Sequence, residues 1–515
     1  MSLALSRAES DQIDLNRMES GSIDARNRTA SNRPHYMPRS HALESRMSEP
    51  PNIVWITLDS IRADHTAVDG YGRDTTPYLR RIASLPDGEA FSECITHAMW
   101  SLPSITSMLT GTPPSRHGTG LHNEVLPSEI PTIPELLSER GWQTSAVSTN
   151  EYLSDATGLN RGFDTFTQVT PSNLLSTAGV GVLAKFAYHI RRHSAGFTTD
   201  FRKHNGNYVL NEIVKRELSD LTGGEQPFFL YAHYRGAHHP YYPPLSFREV
   251  FTDDIEMSAR AASEFTLEHT TDVYEEIAAG CKYSASEWEA IDAMYDASIR
   301  HCDVLMGDLF AHLRSLDPGN TVFVVTSDHG DLLGEYDLLS HKLVLHDGLV
   351  RVPLVVYGLD ALPGHGDDLV QHADVMKTIL RAADVPTESL HGFDFRSEDR
   401  PFAVSQRGQQ TYEKTMRAIK EHRPDFDTER FHYGLLTSLR TPEFKYLYSD
   451  ERTELFGLPD EETDVADSHP ESVSTFESRF GEWMDEHGER IETDTRAEHS
   501  DATKRRLRDL GYVVE

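Results

Sequence analysis

The chain has 515 residues, 38% of them hydrophobic, enough to bury a large core and to exclude global disorder. Asp and Glu number 82 against 49 Lys and Arg, giving a net charge of −33, so the surface repels nucleic-acid phosphates and anionic membranes. An anionic ester reaches such a chain only by way of a local cation, and the even spread of acids, with Lys scarce beside Arg, matches proteins of salt-loving archaea.

Residues 1–48 are polar, without apolar periodicity, and are expected to form a disordered leader. They carry no signal-peptide pattern, and Met47 is an alternative start. Asn52-Ile-Val-Trp-Ile-Thr-Leu58 then forms a continuous apolar run ending in Asp59, which suits a strand buried on both faces. The stretch from Trp100 to Gly111 reads as a helix: Ser101 caps it, Pro103 fits its first turn and Gly111 stops it. Helical spacing recurs over 132–140, 207–221 and 286–316. The apolar segment 174–190 is too short for a membrane span and carries Lys185 and His189, so a buried or amphipathic helix is expected.

Pro227–His233, Thr321–Thr326 and Val352–Tyr357 repeat the buried-strand pattern. Strands alternating with helices imply a mostly parallel α/β sheet sandwiched by helices. Beyond residue 400, Tyr433–Leu439, Phe444–Tyr448 and Thr453–Phe456 read as short antiparallel strands. The expected division is a leader at 1–48, a catalytic α/β domain at 49–398, a small α+β subdomain at 399–480, and a charged, partly helical tail at 481–515. Insertions at 165–205 and 245–285 are expected to build a pocket wall or lid. Cys94, Cys281 and Cys302 are far apart and odd in number, which argues against a disulfide framework and for a reducing compartment, the cytoplasm.

In open α/β sheets the functional groups gather at the carboxyl ends of strands. Asp59 stands at one such end, as a hard-cation ligand or as the cap of a following helix. Asp328 and His329 stand at another, offering one oxygen and one nitrogen ligand, with Gly330 allowing a tight turn. Ser101 at a helix N-terminus lies where backbone N–H groups favour an anion, and a hydroxyl beside a metal is a nucleophile in waiting.

These segments, in this order, resemble the sulfatase branch of the alkaline phosphatase superfamily. The resemblance rests on Asp59 after its strand, Ser101-Leu-Pro-Ser104 closing in Met108-Leu-Thr-Gly111, and Ser327-Asp-His-Gly330. Tyr71-Gly-Arg-Asp-Thr-Thr-Pro77, Gly141-Trp-Gln-Thr144, Arg161-Gly-Phe-Asp164, His238-His-Pro-Tyr241, Arg351-Val-Pro-Leu-Val355 and Glu454-Leu-Phe-Gly-Leu-Pro-Asp460 extend it over residues 50–470. It implies metal-dependent hydrolysis of sulfate esters, arylsulfatase-like, on a small molecule or glycan. Asp59, Asp328 and His329, with Ser101, match positions that hold one divalent cation, Ca²⁺ foremost and Mg²⁺ or Mn²⁺ next. Ser101 matches the nucleophile, which the family oxidises to formylglycine. His238 matches a residue that protonates the leaving group or binds the anion, and Lys342 one that binds the anion and assists departure.

Four departures follow from the same alignment of motifs. Ser60 replaces a second Asp, Asp328-His329 stands where Asp-Asn is usual and resembles the phosphonate and phosphodiester branch as much as arylsulfatases, Ile105 replaces the Arg two residues beyond Pro103, and Ser148-Thr-Asn-Glu151 replaces Gly-Lys-Trp-His. They open two alternatives: an unmodified Ser101 acting on phosphodiesters or phosphonates or transferring a phosphoryl group, and a non-catalytic binder of anionic glycans.

Overall fold

The computed structural model describes residues 50–509, apart from 361, 363, 492 and 494; the expected leader at 1–48 lies outside the described residues. A seven-stranded sheet forms the centre. In chain order its strands are β1 (Asn52–Leu58), β2 (Gly88–Phe91), β3 (Gln143–Ser148), β4 (Thr165–Gln168), β5 (Phe228–Tyr234), β6 (Thr321–Thr326) and β7 (Leu354–Tyr357), and across the sheet they run β2-β7-β6-β1-β5-β3-β4. From β6 to β4 every pairing is parallel. The Val352–Tyr357 strand expected from sequence is present as β7, but it runs antiparallel to both β6 and β2.

The apolar runs alternate between two cores. Ile53 and Trp55 of β1, with Phe229 and Tyr231 of β5, face the helices Ser101–Thr110 and His372–Ala382. Val54, Ile56 and Leu58, with Leu230 and Ala232, face the helices Asn207–Thr222 and Ala285–Leu316. A period of two with both faces covered makes every position of such a strand apolar. Truncating a side chain such as the fully buried Trp55 to Ala costs about 3–5 kcal/mol.

The apolar segment 174–190 forms the helix Leu174–Tyr188, of which only Ala178 is buried. Leu174, Val182, Leu183 and Phe186 lean on the core while Leu175 and Val180 face solvent, so the amphipathic alternative holds and the buried one does not. No helix among the described residues is long and apolar enough to cross a membrane.

Four antiparallel strands follow: β8 (Ala403–Arg407), β9 (Leu436–Arg440), β10 (Phe444–Tyr448) and β11 (Thr453–Gly457). This second sheet is bound to the first part of the chain by buried polar groups. Gln406 N–H donates to His97 O at 2.9 Å, just upstream of the Ser101 helix. The buried Arg407 guanidinium donates to Leu343 O and Gly434 O, each at 2.7 Å. Lys445, 1% exposed, meets Asp347 at 2.5 Å and Glu461 at 2.6 Å, and Arg440 meets Asp347 at 2.9 Å. The helix Pro470–His487 runs across the expected boundary at 480, and within the expected tail the described residues form the helix Asp501–Asp509.

Candidate active site

Parallel pairing lines up the carboxyl ends of β3, β5, β1 and β6. Asp59 follows β1 and Asp328 and His329 follow β6; Thr57 is level with His233 of β5 and with Thr326 of β6. Ser148 of β3 is also level with His233, which brings Asn150 to the same place. No helix starts at Asp59: the chain turns at Asp59–Ser60, with Ser60 at φ 60°, so the capping alternative is not realised. Gly236, at φ 60°, is required beside it, because a Cβ there would sit 2.0 Å from Asp59 O.

Ser101 opens its helix as the first helical residue, with Trp100 at the cap position and no side-chain cap bond, so the expected capping role of Ser101 is not observed. Gly111 closes the helix in the left-handed conformation, as its position predicts. The helix end points its first N–H groups and Ser101 Oγ into the strand-end cluster. Ser101 Oγ lies 3.5 Å from Asp59 Oδ2 and 3.3 Å from His329 Nε2. His329 Nε2 lies 3.6 Å from Asp59 Oδ1 and 3.7 Å from Asp328 Oδ2. His233 Nε2 lies 3.4 Å from Asp59 Oδ2 and 3.8 Å from Asp328 Oδ2.

The chemistry of these groups fits a divalent cation. Asp328 Oδ2 is buried without a hydrogen-bond partner, a cost of several kcal/mol for a carboxylate unless a cation meets it. Asp59, His233 and Asp328 offer ligand atoms within 4.8 Å of one another. His329 Nδ1 is 2.8 Å from Gly330 O, an atom that only accepts, so Nδ1 carries the proton and Nε2 presents its lone pair to the cluster. Asn150 is oriented in the same way: its Oδ1 accepts from Tyr152 N–H at 2.9 Å, and its Nδ2 donates to Asp59 Oδ2 at 3.1 Å.

The electrostatics show the same imbalance. Burial alone would raise Asp59, but the imidazoles of His238, His233 and His329 outweigh it and hold the carboxyl below its usual range. Burial and the charge of Asp59 push Asp328 up. Burial would lower His329, yet Asp328, Asp59 and Asp331 pull it up.

A second wall continues outward. Asp331 accepts from Tyr241 at 2.8 Å and pairs with His341 Nδ1 at 2.8 Å, and burial pushes its carboxyl up to about 7. The His341 ring lies 4.4 Å from that of His329 and 5.2 Å from that of His238. Lys342 is 3% exposed, packs over Tyr274 and is pushed down to about 8 by burial. It lines a cavity of about 300 Å³ together with His341, Trp100, Lys414, Arg496 and Lys504. The helix Asp501–Asp509 supplies Lys504 and Leu507 to this wall and is tied down by Arg506, 2.9 Å from Glu151. Of the two expected insertions, 245–285 reaches the cavity through Tyr274, and no cavity-lining residue comes from 165–205.

Of the six residues singled out from sequence, Asp59, Ser101, Asp328 and His329 form one cluster, the His238 ring lies 5.2 Å from that of His341, and Lys342 lines the neighbouring cavity. Sequence reasoning passed over His233, Asn150, Asp331 and His341. His233 ends an apolar strand just as Asp59 and Asp328 follow theirs, and that position was the available signal.

A helix-borne serine stands beside acids and imidazoles at the carboxyl ends of a parallel sheet, an arrangement suited to ester hydrolysis. The chain belongs to the sulfatase family, whose profile matches residues 51–385. It is 25% identical to arylsulfatase K of Gallus gallus, an alignment covering 84% of this chain and 82% of that protein. It is 24% identical to an arylsulfatase of Clostridium perfringens, over 67% of this chain and 78% of that one. Among solved structures, the phosphonate monoester hydrolase of Agrobacterium radiobacter superposes with a TM-score of 0.65 at 18% identity, covering 85% of this chain and 96% of that one. A protein solved in complex with its substrate D-glucosamine-2-N,6-O-disulfate superposes with a TM-score of 0.61 at 18% identity, covering 85% of this chain and 98% of that one. The chain is thus a sulfatase-type ester hydrolase.

Proposed function

We propose that this enzyme removes sulfate from a small-molecule or glycan ester, with Ser101 as nucleophile and one divalent cation held by Asp59, Asp328 and His329. The carrying observation is the contact of Ser101 Oγ with both Asp59 and His329 beside the unpartnered Asp328 Oδ2. Ca²⁺ is the first choice for two carboxylates, with Mg²⁺ or Mn²⁺ as substitutes. Bound there, the cation supplies Lewis-acid polarisation of an ester oxygen and neutralises developing charge. The Ser101 helix adds its N-terminal dipole to the same oxygen anion. Lys342 binds the ester anion and gives a proton to the departing alcohol. His238 is the poorer donor, since burial pushes it down to about 4 and leaves it neutral near pH 7. The free, buried thiols and the net charge of −33 support a reducing, salt-rich cytoplasm, as in a haloarchaeon.

One observation favours a second reading. Ile105 is fully buried in the apolar core, so that position brings no guanidinium to the nucleophile. An unmodified Ser101 alkoxide acting on phosphodiesters or phosphonates accounts for this, whereas a formylglycine requires an oxidising enzyme that recognises the departed motif. Turnover of an aryl sulfate and an aryl phosphodiester by the wild type and Ser101→Ala separates the readings. Mass spectrometry of the Ser101 peptide runs alongside, because formylglycine is lighter than serine by one pair of hydrogens. The expected result is loss of sulfate release by about three orders of magnitude in Ser101→Ala, with the fold retained. Unchanged turnover in that variant sinks both readings.

A further inference from the structure

Beside the strand-end cluster stands a second group of ligands with different chemistry. His238, His239 and His341 are buried, and one ring nitrogen from each lies within 4.8 Å of those of the other two. In each ring Nδ1 is already engaged. His238 Nδ1 lies 2.8 Å from His239 O, His239 Nδ1 lies 3.2 Å from Thr270 O, and His341 Nδ1 lies 2.8 Å from Asp331 Oδ1. Carbonyl oxygens only accept, so Nδ1 of His238 and His239 carries the proton, and the Asp331 carboxylate sets the same tautomer in His341. Each Nε2 is thereby left with a lone pair. His239 Nε2 is buried without a hydrogen-bond partner, although the ring is 0% exposed.

Three buried imidazoles whose Nδ1 atoms face carbonyl or carboxylate oxygens, with one ring nitrogen of each within 4.8 Å of the others, are the arrangement by which proteins prepare a nitrogen site for a metal. We propose that His238, His239 and His341 form a second metal site, for a borderline-soft ion of the Zn²⁺ class, next to the oxygen-rich site at Asp59 and Asp328. Neutral imidazole suits Zn²⁺, Cu²⁺, Ni²⁺ or Co²⁺ and is a poor match for Ca²⁺ or Mg²⁺. Three protein ligands leave a fourth position for water or an anionic oxygen, and the site lies on the wall that carries Lys342. The ammonium of Lys342 and the guanidinium of Arg235 oppose a dication there. Asp331 behind His341, and Asp59 beyond His238, offset them. The two sites share the His329–His341 contact, so this is a neighbouring pair of sites with distinct ion preferences.

The test is zinc stoichiometry by elemental analysis, on untagged protein stripped with chelator and dialysed against limiting free Zn²⁺. The chain has 26 histidines, so the readout is the difference between variants. His239→Asn keeps a side-chain donor for Thr270 O and removes the Nε2 ligand; Asp328→Asn removes only the first site. With Ca²⁺ in excess in the dialysis to fill the oxygen-rich site, one zinc ion in the wild type and in Asp328→Asn and none in His239→Asn are expected. Co²⁺ substitution gives a visible tetrahedral absorption band, lost in His239→Asn and kept in Asp328→Asn. A wild type or an Asp328→Asn protein that binds no zinc, or a His239→Asn protein that binds as much as the wild type with an unchanged melting temperature, overturns the second site. Neither result touches the proposed sulfate chemistry, which fails only with the Ser101→Ala assay.

Discussion

Two buried clusters of this enzyme contain the same kind of side chain and differ in what answers it. At the carboxyl ends of β1 and β6, Asp59 and Asp328 face each other with imidazoles and a serine, and Asp328 Oδ2 has no hydrogen-bond partner. At the junction of the two sheets, Asp347 is met by Lys445 and Arg440, and Glu461 by Lys445. Burial pushes both Asp328 and Asp347 upward. In Asp328 the neighbouring Asp59 adds to the effect, whereas in Asp347 the two cations reverse it and hold the carboxyl far below its usual range. Burial acts alike on both carboxyls; what differs is that the chain sets a lysine and an arginine against Asp347, and imidazoles and a second carboxylate against Asp328.

The strongest way to break this comparison is Asp328→Asn. Turnover of a sulfate ester is expected to fall about a thousand-fold with loss of the bound cation. The chelator-stripped variant should melt no lower than stripped wild type, because an uncompensated buried charge is gone. A melting temperature that collapses would instead make Asp328 a structural residue. At the junction the opposite holds: Lys445→Met leaves Asp347 and Glu461 short of a cation and should cost about 3–5 kcal/mol in denaturant unfolding. Its cation content stays that of the wild type. The smallest effect is on acid stability. The folded Asp347 value is depressed, so its contribution is fully present above the ordinary carboxylate value of about 3.9 and fades as pH falls toward the folded value. The unfolding midpoint of Lys445→Met should accordingly decline less between neutral and acid pH than that of the wild type; equal declines refute the assignment.

The sequence showed the first cluster better than the second. Asp59 and the Asp328-His329 pair were legible because each directly follows an apolar run, and run length alone says where a strand ends. His233 was not, because its role depends on lying level with Thr57 across the sheet, and register is a property of the pairing. Asn150 looked like the loss of a lysine–histidine motif until its amide was seen donating to Asp59. Lys445 in β10 and Asp347 at the start of the short helix Asp347–Val350 are nearly a hundred residues apart, and nothing local marks either. The direction of β7 was hidden for the same reason: an apolar strand reads alike from both ends.

The helix Asp501–Asp509 adds a consequence of order in time. During synthesis the acids and imidazoles of the first cluster leave the ribosome long before Arg496, Lys504 and Leu507 complete the cavity wall, and before Arg506 reaches Glu151. A nascent or prematurely terminated chain thus carries the strand-end acids and imidazoles while the neighbouring cavity lacks one of its walls. A fusion partner placed after residue 509 would hang at that mouth, whereas one placed before residue 50 would join the chain at the amino end of β1, across the sheet from it.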